Sequence, residues 1–369
     1  MTDLTDLYAL GNTIDTFAPG HYARVYDAID RRNDRLCALK VMRVEHLADG
    51  DGQPHMEAWA FITEADLLVK MASRHVVELH DCGYLKSTDE NPRSGEIVSC
   101  GRDLEDFRRG AYRYAGQRWR PYLALEILPR HENLLYVMRS NRPGIRWRLP
   151  TEEAIDLAGQ FGDLLVRAHS QHIVYLDHKL EHVYWDGRRL RIIDWNSSRI
   201  IENGAQLAQQ ITNDLHNLCV GILYPIFTGF SPQKGTLVPQ PASQAEVDAR
   251  DSDIAQLDFG VEPTLSAGLR ALMQDGAERR YPTADHFLVK LSRAAAAYGW
   301  DDSPNTQQDA RGRTREALAK IRAGQDAIRE ARDLIYDAAI LDDMNADFEA
   351  ELRRLLAQIN DMLGARVVP

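Results

Sequence analysis

Residues 175–196 read YLDHKLEHVYWDGRRLRIIDWN, and the fold turns on them. Two strand-like runs, VYW and RLRIIDW, flank the turn Asp186-Gly187. An Asp-Gly pair between apolar runs is a strong local signal for a hairpin. The first arm follows the polar cluster Asp177, Lys179, Glu181 and His182, and the second ends near Asp194. A hairpin folds its arms together, so the spacing predicts that Asp177 and Asp194 are neighbours in space. Two carboxylates and a lysine at one rim suggest a metal and phosphate site.

Upstream of this stretch the chain reads as β-rich. Residues 22–44, YARVYDAIDRRNDRLCALKVMRV, form a predicted hairpin turning at RRND, with Lys40 inside its second strand. A lysine in such a strand either points to solvent or does a specific job. Residues 57–71 have helical spacing, with Trp59, Phe61, Ala65, Leu68 and Val69 as the apolar stripe and Glu64 beside it. A second strand pair follows at 76–84 and 120–128, separated by a polar insert at 85–119 that is too long for a hairpin loop.

From Pro150 the pattern becomes helical. Thr151 is the expected N-cap of a helix through His172, with Glu152 and Glu153 in its first turn. Residues 213–229 read as a mostly buried helix. Two more helices, in 263–276 and 282–299, are opened by proline and closed by glycine. The order is that of an α+β protein. Residues 299–313 read as a linker. Beyond it, over 314–365, Leu318, Ile321, Ile328, Ala331, Ile335 and Ala338 mark one helical seam. Phe348, Leu352, Leu355, Ile359 and Met362 mark another, which suits a helical hairpin or coiled coil with its corner at 341–345.

The 369 residues are 44% hydrophobic and 27% charged, an ordinary globular composition. A net charge of -11 argues against nucleic acid as a partner. The arginine-rich pieces at 108–120 and 139–148 read as solvated surface. Cys37, Cys82, Cys100 and Cys219 are scattered, with no CxxC pair, and are expected as reduced thiols. The opening residues lack the pattern of a signal peptide, and the apolar run from Leu218 is too short for a bilayer. The expectation is a cytoplasmic protein with no membrane contact.

Taken in order, these pieces resemble the eukaryotic-like, bacterial-type Ser/Thr protein kinases over residues 14–298. The resemblance implies a bilobal fold, with a β-rich lobe at 14–128 and a helical lobe at 129–298. APGHYARVY, residues 18–26, resembles the glycine-rich loop over the ATP phosphates, with Gly20 as its middle glycine and Ala18 and Ala23 at the flanking glycine positions. CALK resembles the motif whose lysine, here Lys40, binds the α and β phosphates and pairs with a helical glutamate, here Glu64. YLALEIL resembles the strand leading to the adenine-binding segment. There Leu125 would be the gatekeeper, and the Glu126 and Leu128 backbones would bond the base. Val25, Ala38 and Tyr184 would complete the nucleotide contacts. YLDHKLEH resembles HRDxKxxN, which makes Asp177 the catalytic base and Lys179 a γ-phosphate contact. IDWN resembles DFG, which makes Asp194 the ligand of Mg²⁺. Asp214 matches an aspartate that braces the catalytic loop, and Arg280 the arginine near the end of the helical lobe.

The chain departs from that pattern at several positions. Tyr175 and Leu176 replace His and Arg, which removes the usual receptor for a phosphorylated loop. His182 stands where an asparagine holds a second metal, so Mn²⁺ is an alternative to Mg²⁺. Asn196 replaces the DFG glycine, and the segment before Asp214 is short, with no APE motif. Glu202 is the candidate partner for Arg280. The resemblance implies ATP as cofactor and a protein substrate or partner, while the C-terminal seam reads as docking on the helical lobe or pairing with a second copy as a homodimer. Three functions stand open: a Ser/Thr phosphotransferase, a pseudokinase that binds nucleotide or a partner without turnover, and a kinase of small molecules.

Overall fold

Alternating apolar residues build the first half of the molecule into one sheet. In the computed structural model the strands are β1 (Thr2–Asp3), β2 (Tyr8–Thr13), β3 (Ala23–Asp30), β4 (Arg35–Met42), β5 (Leu79–Lys86), β6 (Glu96–Gly101) and β7 (Trp119–Leu125). The structure describes residues 2–14, 22–47, 56–138, 146–232, 237 and 254–298, together with 324, 327, 328, 331, 354 and 355. The seven strands run in the order β1-β6-β5-β7-β4-β3-β2, every pair antiparallel. The predicted 22–44 hairpin is β3–β4, with Asp30 opposite Arg35 across its turn. Residues 2–13 supply both edge strands and the short helix α1 (Leu4–Leu7). Leu4 and Tyr8 bury against Tyr26, Leu39, Val41, Leu85, Ile97 and Tyr122 on one face of the sheet. A buried carboxylate ties four strands there, since Asp81 accepts from Tyr122 Oη at 3.0 Å, Ser99 Oγ at 2.8 Å and Tyr8 Oη at 2.5 Å.

The polar insert has structure of its own: strand β6 and helix α3 (Leu104–Arg113). Asp103 caps α3 by accepting from the Glu105 and Asp106 amides. Phe107 is fully buried, and the Tyr84 hydroxyl donates to its carbonyl. Gly110 lets the helix approach closely, because a Cβ there would meet the Tyr84 ring at 2.3 Å. In the arginine-rich segment 108–120, Arg108, Arg109, Arg113 and Arg118 are exposed as expected, and Arg120 departs from a solvated surface. Arg120 is buried and donates to Met42 O at 3.1 Å and Asp89 O at 2.7 Å. Arg108, Arg109 and Arg113 pair with Asp66, Glu105 and Asp106. In the second arginine-rich piece, Arg146 and Arg148 both reach Glu262.

Helix α2 (Met56–Lys70) covers the sheet with Phe61, Ile62, Glu64, Ala65, Leu67 and Leu68. Val69, read as part of the apolar stripe, is exposed instead. The remaining helices are α4 (Leu134–Met138), α5 (Thr151–Ser170), α6 (Gly204–Asn217), α7 (Tyr224–Thr228), α8 (Ala267–Ala277) and α9 (Ala284–Ala296). Between them lie the short strands β8 (Ile173–Val174), β9 (Val183–Trp185), β10 (Leu190–Ile192) and β11 (Arg199–Ile200). Thr151 is the first helical residue of α5 and not its cap. Pro150 precedes it in extended conformation with no side-chain cap. Glu152 and Glu153 still face the positive end of the helix, and Glu153 accepts from Trp185 Nε1 at 2.9 Å. The buried helix begins earlier than its apolar run suggests, at Gly204, where Asn203 caps it. It passes through a π-helical stretch, Leu218–Leu223, into α7. Ser266, not Pro263, starts α8 by accepting from Leu269 N, and Gly276 lies inside that helix against Cys219.

The quoted hairpin is β9–β10, with Trp185 opposite Leu190. Asp186 closes its turn by accepting from the Arg188 and Arg189 amides, and Gly187 takes the left-handed φ of 92°. All four cysteines are free; Cys37, Cys82 and Cys219 are buried. Among the described residues no helix is long and apolar enough to cross a membrane. The chain divides into two compact units, Met1–Leu291 and Ser292–Pro369. The linker 299–313 and most of the predicted helical seams lie outside the described residues. Of those seams, Ile328, Ala331 and Leu355 are helical, and Ala331 and Leu355 are exposed.

Candidate active site

Lys40 does not reach solvent. It sits in β4 opposite Val25 of β3 and Leu123 of β7, 6% exposed. Its Nζ lies 2.7 and 3.0 Å from the two Glu64 oxygens and 2.7 Å from Asp194 Oδ1. One ammonium therefore joins strand β4, helix α2 and the segment after β10. Burial, the largest influence on Lys40, lowers its pKa, but the Asp194 and Glu64 carboxylates together outweigh it and raise the pKa. Burial raises the Asp194 carboxyl, but Lys40 and then His182 hold it below its ordinary value. Glu64, 1% exposed, is pushed up by burial against the opposing pull of Lys40. Lys40 and Glu64 are buried and Asp194 is half-buried, and the group is stable because the cation faces both anions.

The loop between β8 and β9 carries the other charged groups. Asp214, fully buried in α6, accepts from the Tyr175 amide at 2.8 Å, the Leu176 amide at 2.7 Å and His169 Nε2 at 3.0 Å. These bonds hold Leu176 at φ 66°, a left-handed conformation that costs a non-glycine residue energy. Asp194 has φ 61° and is anchored on both sides. Tyr175 Oη donates to Ile193 O at 2.9 Å, and the Tyr175 and Trp195 rings meet edge to face at 5.0 Å. Asp177 and Asp194 converge as the hairpin spacing predicts. His182 spans them, with Nδ1 at 3.4 Å from Asp177 Oδ2 and Nε2 at 3.5 Å from Asp194 Oδ2. Asp177, His182 and Asp194 each offer one ligand atom, all within 4.8 Å of one another. Lys179 Nζ lies 2.9 Å from Asp177 Oδ1.

Other residues expected at the site divide into two groups. Val25 is opposite Lys40, and Ala38 is opposite Leu125, so these four share one face of the sheet. Glu126 follows β7, and its amide donates to Glu78 O at 2.8 Å. Its carboxylate takes Arg191 of β10 and the Glu78 amide. Leu128, two residues on, is half-buried. Tyr184 is buried in β9, bridged to Asn133. Gly20 and Ala18 lie outside the described residues. Glu202 is not the partner of Arg280, which pairs with Asp275 at 3.1 Å and with Glu278, because these carboxylates are close along the same turn. Glu202 is exposed.

His178 and His169 escape a reading of the sequence, because neither belongs to a periodic or charged pattern. The His178 ring stacks on Phe161 at 5.3 Å and meets Tyr175 at 5.1 Å, and both its nitrogens are buried without a hydrogen-bond partner. Burial lowers its pKa from 6.5 to about 4. The unfolded chain takes up a proton below pH 6.5 that the folded chain refuses until about pH 4. Stability is therefore full above pH 6.5 and falls as the pH drops toward 4, by about 3 kcal/mol from this group. Urea unfolding from pH 7 to pH 4 checks this. His178→Leu is expected to lose that component of the slope, and equal slopes in both proteins would refute it.

No protein-family model matches the chain. Over 78 residues it is 37% identical to a probable serine/threonine-protein kinase of Bifidobacterium longum (strain NCC 2705), a stretch that covers 21% of this chain and 10% of that protein. The likeness supports a kinase-like relation for that part of the chain.

Proposed function

We propose that the chain is an ATP-dependent phosphotransferase of the protein-kinase type, with a bilobal arrangement, that transfers the γ-phosphate to a protein Ser or Thr hydroxyl. The observation that carries this reading is the ion triad in which Lys40 bridges Glu64 and Asp194, with Asp177 joined to Asp194 through His182. In this reading Val25, Ala38, Leu125 and Tyr184 enclose the adenine, and the Glu126 and Leu128 backbones hydrogen-bond its edge. Glu64 orients Lys40 toward the α and β phosphates, Lys179 meets the γ-phosphate, and Asp177 accepts the hydroxyl proton. Asp194 and His182 would hold a divalent ion, which supplies charge neutralisation at the phosphates when bound. Two carboxylates and an imidazole fit such an ion, and the nitrogen donor favours Mn²⁺ over Mg²⁺.

The test is transfer of label from γ-labelled ATP to the protein itself or to a generic Ser/Thr substrate. Transfer is expected with either ion and faster with Mn²⁺. Absence of transfer with both ions would overturn the reading. A second reading, a nucleotide-binding pseudokinase, draws on His182 spanning both carboxylates. It predicts a thermal shift with ATP and no transfer.

A further inference from the structure

The position of Glu64 depends on α2, and α2 is covered by a helix that belongs to the insert. Trp59 and Asp66 lie seven residues apart on α2, two turns along one side. Arg108 and Tyr112 lie four apart on α3. The Trp59 and Tyr112 rings meet edge to face at 5.7 Å, and Arg108 pairs with Asp66. Glu64 faces the sheet on a different side of α2, buried against Lys40. Helix α3 is itself seated: Phe107 is fully buried, Gly110 is packed on Tyr84, and Asp103 caps its start. So a fixed element grips α2 on one side, while the carboxylate that must meet Lys40 projects from another.

We infer that α3 is a built-in brace for α2, and that Arg108 and Tyr112 are positioning residues that hold Glu64 on Lys40. This rests on the reading of Lys40 and Glu64 as the pair that handles phosphate. Translation of α2 away from the sheet would leave Glu64 buried without its cation, a costly state. The brace opposes that movement. The Arg108–Asp66 pair is partly exposed, with side chains 48% and 31% accessible, so its loss alters the set of α2 more than the global fold.

The test uses the full chain with Arg108→Glu, Asp66→Arg, the double swap and Tyr112→Ala. Hydrogen exchange of the α2 amides, residues 57–70, reads the brace whether or not the protein transfers phosphate. The two reversals and Tyr112→Ala are expected to speed α2 exchange and weaken ATP binding by about two- to fivefold each, from the lost ion or aromatic pair. The double swap restores both, with the thermal midpoint close to wild type throughout. Unchanged α2 exchange in the reversals, or a swap that fails to restore it, would overturn the inference. If one reversal fails to fold, Tyr112→Ala and the swap still decide it. ATP binding absent from the wild type sinks the phosphotransferase reading and leaves the exchange result standing.

Discussion

Asp177→Asn is expected to lower phosphoryl transfer by about a thousandfold while leaving ATP affinity within about twofold, the range for loss of a general base. The substitution keeps the shape of the side chain and removes its charge and its capacity to take a proton. Asp177 touches Lys179 and His182 and is distant in function from the adenine face. Initial rates with labelled ATP, beside titration of ATP by calorimetry, separate the two effects. An Asn variant as fast as wild type would remove Asp177 from the chemistry. One that loses affinity and rate together would assign it to binding.

Lys40→Met carries the second large effect, and it is felt in stability as well as activity. The substitution leaves Glu64, 1% exposed, and Asp194 without their shared cation. Removing one partner of a buried ion group costs about 3–5 kcal/mol, because the remaining charge has neither water nor a counter-ion. Urea unfolding should show that loss. Lys40→Met/Glu64→Leu should recover most of it, since an apolar pair of similar volume replaces the ion pair. ATP binding should be lost in both variants. A single variant as stable as wild type would mean that Glu64 is protonated in the fold, and the ion triad would then play no electrostatic part.

The site was legible where its residues are carried by local structure. Asp177 and Asp194 flank a hairpin that its Asp186-Gly187 turn announces, and the paired arms, Val183–Trp185 and Leu190–Ile192, bring the flanking segments near each other. Lys40 was conspicuous because a strand of apolar residues seldom carries one ammonium, and Glu64 because it sits beside an apolar helical stripe. The partner of Arg280 is not the distant Glu202, because the carboxylates of Asp275 and Glu278 lie nearer in the chain. Helix α5 starts at Thr151 and not after it, because Pro150 already holds the extended conformation that a capping Thr would supply.

Helix α3, strand β6 and the edge strands β1 and β2 were not legible in this way. Their pattern is short and polar, and they become ordered through partners distant in sequence: Thr2 beside Ile97, Tyr8 beside Asp30, Gly110 against Tyr84. The burial of His178 escaped for the same reason, since its neighbours Phe161 and Tyr175 come from a helix and a loop. What the amino-acid order determined by itself was the set of locally periodic elements and the charged residues at their ends, because hairpins and amphipathic helices are decided by neighbours a few positions apart. Tertiary structure alone decided which charges are buried together and which helix braces which. Those outcomes rest on close packing and the cost of an unpaired buried charge, and both depend on residues that meet only after the chain has folded.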